Sequence, residues 1–437
     1  MTRYRIKDRS FFPGGLHLAM VLLIVLSLTG CADMRVFLAE SLPYPGYPAD
    51  KIERNDFTVA EEEDIVGRMA TIRLQNEDTL PDIARHFSLG INTLSAANPG
   101  IDIWVPEAGE RILLPLSYVL PDAQRKGIVI NLAAMRLYYF RENGNRLAVS
   151  TYPVGVGTED RPTPMGKMYV RSKKLRPTWY VPASIAADHR KKGDPLPPSV
   201  PPGPENPLGE HALYLSRSSY LIHGTNKPAS VGLRATNGCI RLYPEDVERL
   251  FEDTPVKTPV HIVNQPYLVG RRDGIVYLEA HEPFEESGTK SLKKLFAKLK
   301  QMDKESGYTL DWKRVENVVA EARGFPVPIS VTPGGLVMDY VQAINLRHPG
   351  RLYGKPEIPE FKTDAWYVLA ATLPEKTEAL RLAAIMNHQG PPIPARVLSD
   401  EDRHRVLAGP FEDESAAKDA AKHLKIYLEL DAVLFET

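Results

Sequence analysis

A histidine and a cysteine in one short segment of this chain have the types and spacing that suit nucleophilic chemistry. The segment reads HGTNKPASVGLRATNGCIRL, and Cys239 is one of 2 cysteines among 437 residues. A thiol attacks a carbonyl as its thiolate, and a nearby histidine both takes the proton and stabilises the ion pair. Three glycines let the intervening loop fold back: Gly224, Gly232 and Gly238. His223 and Cys239 are therefore candidates for base and nucleophile.

The neighbours of the cysteine suit such a reaction, although each residue also has an ordinary structural role. Gly238 permits a tight turn whose N–H groups could form an oxyanion hole, and Arg241 is placed to pair with a substrate carboxylate. A lone cysteine, however, is usually a small buried hydrophobe, and an arginine beside Glu245 and Asp246 is often only a surface partner. A zinc site is disfavoured because a second cysteine or an HxxxH pair is missing nearby. The residue types alone leave the nucleophile and the structural cysteine equally open.

Strand-rich sequence surrounds this segment from about residue 126 to 265. Runs such as GIVINLAAMRLYYF and ALYLSRSSYLIHG, separated by glycines and prolines, predict a β-sandwich or barrel. A helix is predicted from Pro244, with Val247 and Leu250 on its inward face. The proline-rich run 193–209 predicts a stiff loop over one face of the domain.

The same region, residues 126–265, resembles the YkuD-type L,D-transpeptidases. The resemblance rests on HGTN, PAS and TNGCIRL, together with TYPVGVG, TPMGKM and VPPGPENPLG. It implies a mainly-β, β-sandwich-like catalytic domain in which Cys239 is the nucleophile. It also implies that His223 is the general base, oriented through a backbone carbonyl near Gly224, and that neither a metal nor an organic cofactor is needed.

The resemblance assigns the surrounding residues as well, with one departure. Thr236, Arg241 and Asn226 correspond to substrate-binding positions, and Asn237 and Gly238 to the oxyanion and orientation positions. The family most often reads Ser-His-Gly-Cys where this chain reads Thr-Asn-Gly-Cys. Asn237 cannot titrate, although its amide still donates a hydrogen bond. Because His223 already fills the base position, we expect an active enzyme; the alternative is a non-catalytic peptidoglycan-binding lipoprotein of the outer membrane.

The family reaction supplies the expected chemistry. The thiolate attacks the L-centre carbonyl of meso-diaminopimelate in a donor tetrapeptide, D-alanine leaves, and a thioester forms on the enzyme. An acceptor then resolves the thioester. Another diaminopimelate gives a 3-3 crosslink, a lysine of an outer-membrane lipoprotein gives a protein-to-wall tether, and water gives a carboxypeptidase. The sequence leaves these three acceptors open.

Modules on either side of this region also resemble wall-binding domains. Residues 68–116, with EDTLPDIARHFSLGINTLSAANPG, resemble the βααβ LysM module, but Glu77 stands where that module usually has glycine. Residues 362–437 follow a ferredoxin-like βαββαβ order, and RVLAGPFEDESAAKDAAKHL resembles SPOR domains, which bind peptidoglycan glycan strands. The alternatives are a ligand-free packing domain and a dimerisation module. Residues 266–360 are predicted to be a helical extension and linker.

The N-terminal residues predict export and lipidation. Residues 1–31 have a basic start, an apolar run and then Leu28-Thr29-Gly30-Cys31, which resembles a bacterial lipobox. Cys31 would carry lipid, residues 32–67 would form a tether, and Cys239 would remain a free thiol. The alternative is an uncleaved signal anchor. We expect a periplasmic protein anchored to the outer membrane of a diderm bacterium, and a net charge of −1 gives no reason to expect nucleic acid as a partner.

Overall fold

The computed structural model describes residues 56–60, 63–284, 288–305, 309–331, 342–400 and 402–437. The predicted signal peptide and lipobox, including Cys31, lie outside the described residues, as does most of the predicted tether. Within the described ranges, every helix is too short or too polar to cross a membrane.

The first unit packs two helices against an antiparallel pair of strands. Thr79 caps the first helix by accepting a hydrogen bond from the backbone N–H of Asp82 at 3.2 Å, and Leu80, Ile83 and Phe87 are fully buried. The predicted βααβ order is present, while the identity of the unit as a LysM module stays a prediction. The elements up to residue 119 are β1 (Asp56–Val59), which joins the sheet of the central domain, β2 (Ile65–Gly67), β3 (Met69–Arg73), α1 (Leu80–His86), α2 (Ile91–Ala97), β4 (Arg111–Leu114) and β5 (Ser117–Val119).

Glu77 lies in a turn that glycine would enter more easily. Its φ is 63°, in the left-handed region. A residue with a Cβ atom loses about 1 kcal/mol in this conformation, whereas glycine does not. Glutamate in place of the usual glycine therefore costs a modest amount of local free energy and still allows this turn.

The central domain is mainly β, as predicted. Nine strands of the described residues form one sheet in the order β1-β8-β7-β6-β17-β10-β13-β14-β16; a sandwich-like closure of this domain stays a prediction. The elements are β6 (Gly127–Asn131), β7 (Arg136–Asn143), β8 (Arg146–Pro153), β9 (Val156–Gly157), β10 (Gly166–Leu175), β11 (Trp179–Tyr180), α3 (Ala183–Lys191), β12 (Ser199–Val200), β13 (His211–Leu215), β14 (Leu221–His223), β15 (Arg234–Thr236), β16 (Ile240–Arg241), α4 (Pro244–Asp253) and β17 (Pro259–Val263).

Helix α4 follows the cysteine and packs against this sheet, as predicted. It begins at Pro244, and Val247 and Leu250 are fully buried in the same core as Ile222 and Ile240. Burying each such side chain stabilises the fold by about 2 kcal/mol. The two short strands β14 and β16, which precede the helix, therefore pack against a buried apolar layer that α4 completes.

Polar contacts join the first unit to the central domain. Arg85 forms a two-pronged ion pair with Glu245 at 2.9 and 3.0 Å, and Ser88 Oγ donates to Asp246 Oδ2 at 2.9 Å. Burial, and then the charge of Glu245, raise the pKa of the Asp246 carboxyl to about 7. The buried face of α4 thus contains a carboxyl group that is neutral below neutral pH.

The titration of Asp246 should make the stability of this interface pH-dependent. In the folded chain the carboxyl holds its proton up to about pH 7, whereas in the unfolded chain it ionises near 4. Its stabilising contribution is therefore present at low pH and is lost as the pH rises through 7. We expect the wild type to lose about 2 kcal/mol more unfolding free energy between pH 5 and pH 8 than Asp246→Asn does.

Urea unfolding of both proteins at the two pH values measures this difference. Glu252→Gln, an exposed change on the same helix, is the control and should follow the wild type. An identical pH dependence of the wild type and Asp246→Asn would contradict the assignment of a raised pKa to this carboxyl.

The segment between the central and C-terminal domains is mixed α/β, which corrects the prediction of a helical extension. A hairpin and a third short strand carry two helices, and β21 pairs in parallel with β3 of the first unit. Leu295 and Leu299, on the first helix of the segment, are buried in its core. The elements are β18 (Tyr267–Arg272), β19 (Ile275–Ala280), α5 (Gly288–Glu305), α6 (Trp312–Glu321), β20 (Val327–Pro328) and β21 (Ala343–Asn345).

The C-terminal domain has the predicted βαββαβ order. Its antiparallel sheet has the strand order β23-β24-β22-β25, and both helices pack their alanine-rich faces against it. The elements are β22 (Trp366–Leu373), α7 (Lys376–Asn387), β23 (Ala395–Asp400), β24 (Arg403–Phe411), α8 (Glu414–Leu428) and β25 (Val433–Glu436).

Candidate active site

Two short parallel strands bring the predicted histidine and cysteine together. Strands β14 and β16 pair in the register Ile222↔Ile240 and His223↔Arg241. Because side chains alternate along a strand, the two isoleucines point into the core while His223 and Arg241 share the opposite face. Cys239 directly precedes β16 and lies two residues before Arg241, so it belongs to the same face as the histidine.

His223 is held as a neutral imidazole. Its side chain is 4% exposed, and Nδ1 lies 2.6 Å from the carbonyl oxygen of Gly224. A carbonyl only accepts, so Nδ1 carries the proton and donates it, which leaves Nε2 as the basic nitrogen. Burial, and then the charge of Arg241, lower the pKa of His223 to about 3, against the opposing effect of the Gly224 carbonyl.

Cys239 rests as a thiol rather than as a thiolate. The residue is half-buried and free, and its Sγ lies 3.6 Å from the carbonyl oxygen of Ser219. Burial raises the pKa of the thiol, and this outweighs the backbone of Leu221 and the charge of Arg241, which both lower it. The pKa shifts of Cys239 and His223 therefore both favour the neutral side chain over the expected ion pair.

A threonine hydroxyl shapes the turn that carries the cysteine. Thr236 Oγ1 accepts from the Gly238 N–H at 3.2 Å and donates to the Cys239 carbonyl at 2.7 Å. Gly238 has a φ of +100°, and a Cβ atom there would lie 2.8 Å from the ring of Tyr220. The turn thus requires glycine, and the Gly238 N–H predicted for the oxyanion position is engaged with Thr236.

Arg241 and Asn226, the other two residues predicted to bind substrate, each make a contact with a neighbouring loop. Arg241 Nη1 donates to Ser230 Oγ at 2.7 Å, and burial lowers the pKa of its guanidinium to about 10. In the described part of the chain it pairs with no carboxylate, and its Nε is buried without a partner. Asn226 Nδ2 donates to the carbonyl of Pro204 at 3.1 Å, so Asn226 also fixes the proline-rich loop 193–209.

A helix and an arginine beside the cysteine turn were not predicted. Arg161 donates to Asn237 Oδ1 through one guanidinium nitrogen and to Asp188 of α3 through another. Asn237 itself is exposed, and its carbonyl oxygen is thereby occupied while its NH₂ group remains as a donor. Little in the sequence indicated either of them. Helix α3 has no buried apolar face, and Arg161 lies just outside the run TPMGKM that carries the family resemblance.

Groups of three or more His, Cys, Asp or Glu residues suited to hold a metal ion are absent from the described residues. A half-buried thiol, a tautomerically fixed imidazole and a guanidinium without a carboxylate partner among the described residues lie on one face of two parallel strands, an arrangement that would suit cysteine-dependent acyl transfer.

Comparisons with known proteins agree with this class. A model of the L,D-transpeptidase catalytic domain, YkuD, matches residues 125–262, and a model of the SPOR domain matches residues 362–434. A probable L,D-transpeptidase of Salmonella typhimurium, ErfK/SrfK, is 37% identical over 282 residues, which cover 62% of this chain and 90% of the relative. The Escherichia coli protein of the same name is 40% identical over 223 residues, which cover 50% of this chain and 71% of the relative.

A second Escherichia coli relative, the probable L,D-transpeptidase YbiS, is 40% identical over 223 residues, covering 50% of this chain and 72% of the relative. The chain belongs to the L,D-transpeptidase family, and a SPOR domain follows its catalytic domain. The prediction that the chain is an L,D-transpeptidase is confirmed, and the alternative of a non-catalytic peptidoglycan-binding protein is not favoured.

The threonine turn gives a prediction about stability. Thr236 is 4% exposed, and valine would leave the Gly238 N–H and the Cys239 carbonyl without their shared partner. We expect Thr236→Val to lower the unfolding free energy by about 2 kcal/mol, measured by urea unfolding. Thr236→Ser keeps the hydroxyl and is the matched control. Equal stability of the two variants would show that these hydrogen bonds do not hold the turn.

Proposed function

We propose that the chain transfers peptidoglycan stem peptides through a thioester on Cys239, with His223 as general base. The observation that carries the proposal is the shared face of β14 and β16, together with the hydrogen bond from His223 Nδ1 to the Gly224 carbonyl. That bond fixes Nε2 as the nitrogen that can accept a proton. SPOR domains bind peptidoglycan, so both recognised domains favour the same substrate.

The neutral resting pair determines how the first step would run. His223 Nε2 takes the thiol proton as Sγ bonds to the L-centre carbonyl carbon of the donor's diaminopimelate. The imidazolium then gives that proton to the amine of D-alanine as the carbon–nitrogen bond breaks, which leaves a thioester and a neutral histidine. Proton transfer coupled to attack avoids a buried imidazolium in the resting enzyme, which its low pKa disfavours.

The oxyanion of this step needs donors other than the Gly238 N–H. The backbone N–H of Cys239 forms no hydrogen bond within the described ranges, and the Asn237 NH₂ group faces away from Arg161. These two groups are the proposed oxyanion donors. In this assignment Asn237 does the polarising work of the histidine that the family usually has, and Gly238 shapes the turn.

Arg241 and Thr236 are proposed to bind the donor. The guanidinium remains charged at neutral pH although its pKa is lowered, and a buried cation without a carboxylate partner favours a substrate carboxylate. The stem peptide provides such a group at its D-centres. Asn226, which holds the proline-rich loop, contributes to the same side of the site.

The remaining modules are proposed to keep the enzyme at the wall. Cys31 would be the lipidated first residue of the mature protein, anchored in the outer membrane of a diderm bacterium, and the first unit would act as a LysM-like binder. Each attachment raises the effective concentration of substrate without adding catalytic contacts. The acceptor is another diaminopimelate, a lipoprotein lysine or water, and muropeptide analysis of the products distinguishes them.

Acylation by a carbapenem tests the nucleophile directly. We expect intact mass spectrometry of the full chain, purified in detergent, to show one carbapenem adduct per protein. The adduct should be absent from Cys239→Ala, because the thioester requires this sulfur. Carbapenem binding without a mass increase, in folded protein whose thiol is reduced, would contradict the proposal and favour a peptidoglycan tether.

The pH dependence of acylation tests the histidine. Because the pKa of His223 is about 3, its imidazole remains unprotonated from pH 8 down to pH 5. We expect the second-order rate constant for acylation to vary by less than about twofold over this range and to rise at higher pH as the thiol ionises. A fall of about tenfold between pH 7 and pH 5 would indicate a histidine with an ordinary pKa and would contradict the neutral resting pair.

A further inference from the structure

Helix α3 stands beside the cysteine turn without an apolar anchor. Every residue of α3 is at least partly exposed, so burial contributes little to holding it. A helix of 9 residues is marginal by itself, and its place depends on polar contacts. One of these is the bond from Arg161 to Asp188, and the same arginine reaches Asn237, two residues before the cysteine.

The C-terminal domain also contacts the last turn of this helix. Tyr427 of α8 donates its hydroxyl hydrogen to Asp194 Oδ2 at 2.6 Å, and the same oxygen lies 3.1 Å from His189 Nδ1 in the last turn of α3. Burial raises the pKa of Asp194, but the bonds from Tyr427 and His189 outweigh it and lower that pKa. The carboxylate is therefore charged at neutral pH and connects α8 to the helix.

A second contact reaches the loop that follows His223. Gly390 is buried against this loop, and a Cβ atom there would lie 2.2 Å from the Asn226 carbonyl oxygen and 2.3 Å from Lys227 Cγ. Lys227 Nζ also stands 5.5 Å from the centre of the Tyr427 ring. The C-terminal domain thus contacts both segments that flank the cysteine and histidine face.

The first unit also contacts the C-terminal domain. Arg381 pairs with Asp102 at 2.5 Å, and His388 Nε2 lies 3.1 Å from Asp82 Oδ1. The ring of His388 also packs against that of Trp104, with centroids 5.3 Å apart. Contacts with both the first unit and the central domain distinguish this arrangement from that of a module swinging on a linker.

We infer that the C-terminal domain is a positioning element of the active site, with Tyr427 and Gly390 as its positioning residues. Tyr427 acts through Asp194 and His189 on α3, and Gly390 acts through the Asn226–Lys227 loop. Together they position α3 and the Asn226–Lys227 loop, the two segments that flank Cys239 and His223, where the donor peptide would bind. This inference rests on the proposed function for its effect on substrate, while the bracing of α3 is a structural statement that stands by itself.

Hydrogen–deuterium exchange of the full chain tests the brace without any reaction. Tyr427→Phe keeps the ring over Lys227 but removes the donor to Asp194. We expect the amides of α3 to exchange about tenfold faster in this variant. Lys425→Ala is the control, because Lys425 lies on the same helix and its side chain is 70% exposed, and it should leave α3 unchanged. Unchanged α3 exchange in Tyr427→Phe would overturn the inference.

Kinetics with a donor tetrapeptide test the effect on substrate. We expect Tyr427→Phe and Gly390→Ala to raise KM for D-alanine release about fivefold and to change kcat by less than about twofold, because they alter positioning and leave the reacting groups intact. Gly350→Ala is the matched control for Gly390→Ala, since a Cβ atom there meets open space. Lys425→Ala is the corresponding control for Tyr427→Phe.

The exchange and kinetic experiments distinguish a failure of this inference from a failure of the proposed function. Wild-type KM values in both variants, with an active wild-type enzyme, would overturn the inference and leave the thioester mechanism standing. A wild type that forms no adduct and releases no D-alanine would refute the proposed function. In that case the exchange experiment still decides whether the C-terminal domain braces α3.

Discussion

The parallel pairing of β14 and β16 is the constraint on which the rest of the site depends. Each strand is only two or three residues long, so little backbone hydrogen bonding holds the register. Packing supplies the rest, because Ile222 and Ile240 point from the other face into a core that α4 closes. A slip of one residue would turn His223 into that core and expose an isoleucine at the site.

Burial of this face explains both the electrostatics and the need for a fixed tautomer. Removing water lowers the pKa of the imidazole and raises that of the thiol. Neither group is then charged before substrate binds. Substrate entry therefore does not have to desolvate an ion pair. The bond from His223 to the Gly224 carbonyl leaves one nitrogen as base, and the Thr236 hydroxyl fixes the turn that presents the sulfur.

The parts of the fold and the site that the sequence revealed are those set by local pattern. The β-rich character of the central domain, the order of strands and helices in the C-terminal domain and the start of α4 at Pro244 follow from periodicity and turn residues. Helix α3 was missed because its exposed residues lack an apolar stripe. Strand β21 was missed because its partner, β3, is remote in sequence, and pairing between distant strands leaves no local signal.

The contacts between the modules were not predicted from the sequence for the same reason. Domain boundaries appear in composition, whereas the contacts between domains depend on single residues far apart in sequence, such as Arg85 with Glu245 and Tyr427 with Asp194. Such polar interfaces resemble those between transient partners more than a continuous core. The interaction free energy of such an interface is therefore small. A few hydrogen bonds then determine whether the peptidoglycan-binding C-terminal domain acts only as a tether or also positions the active site.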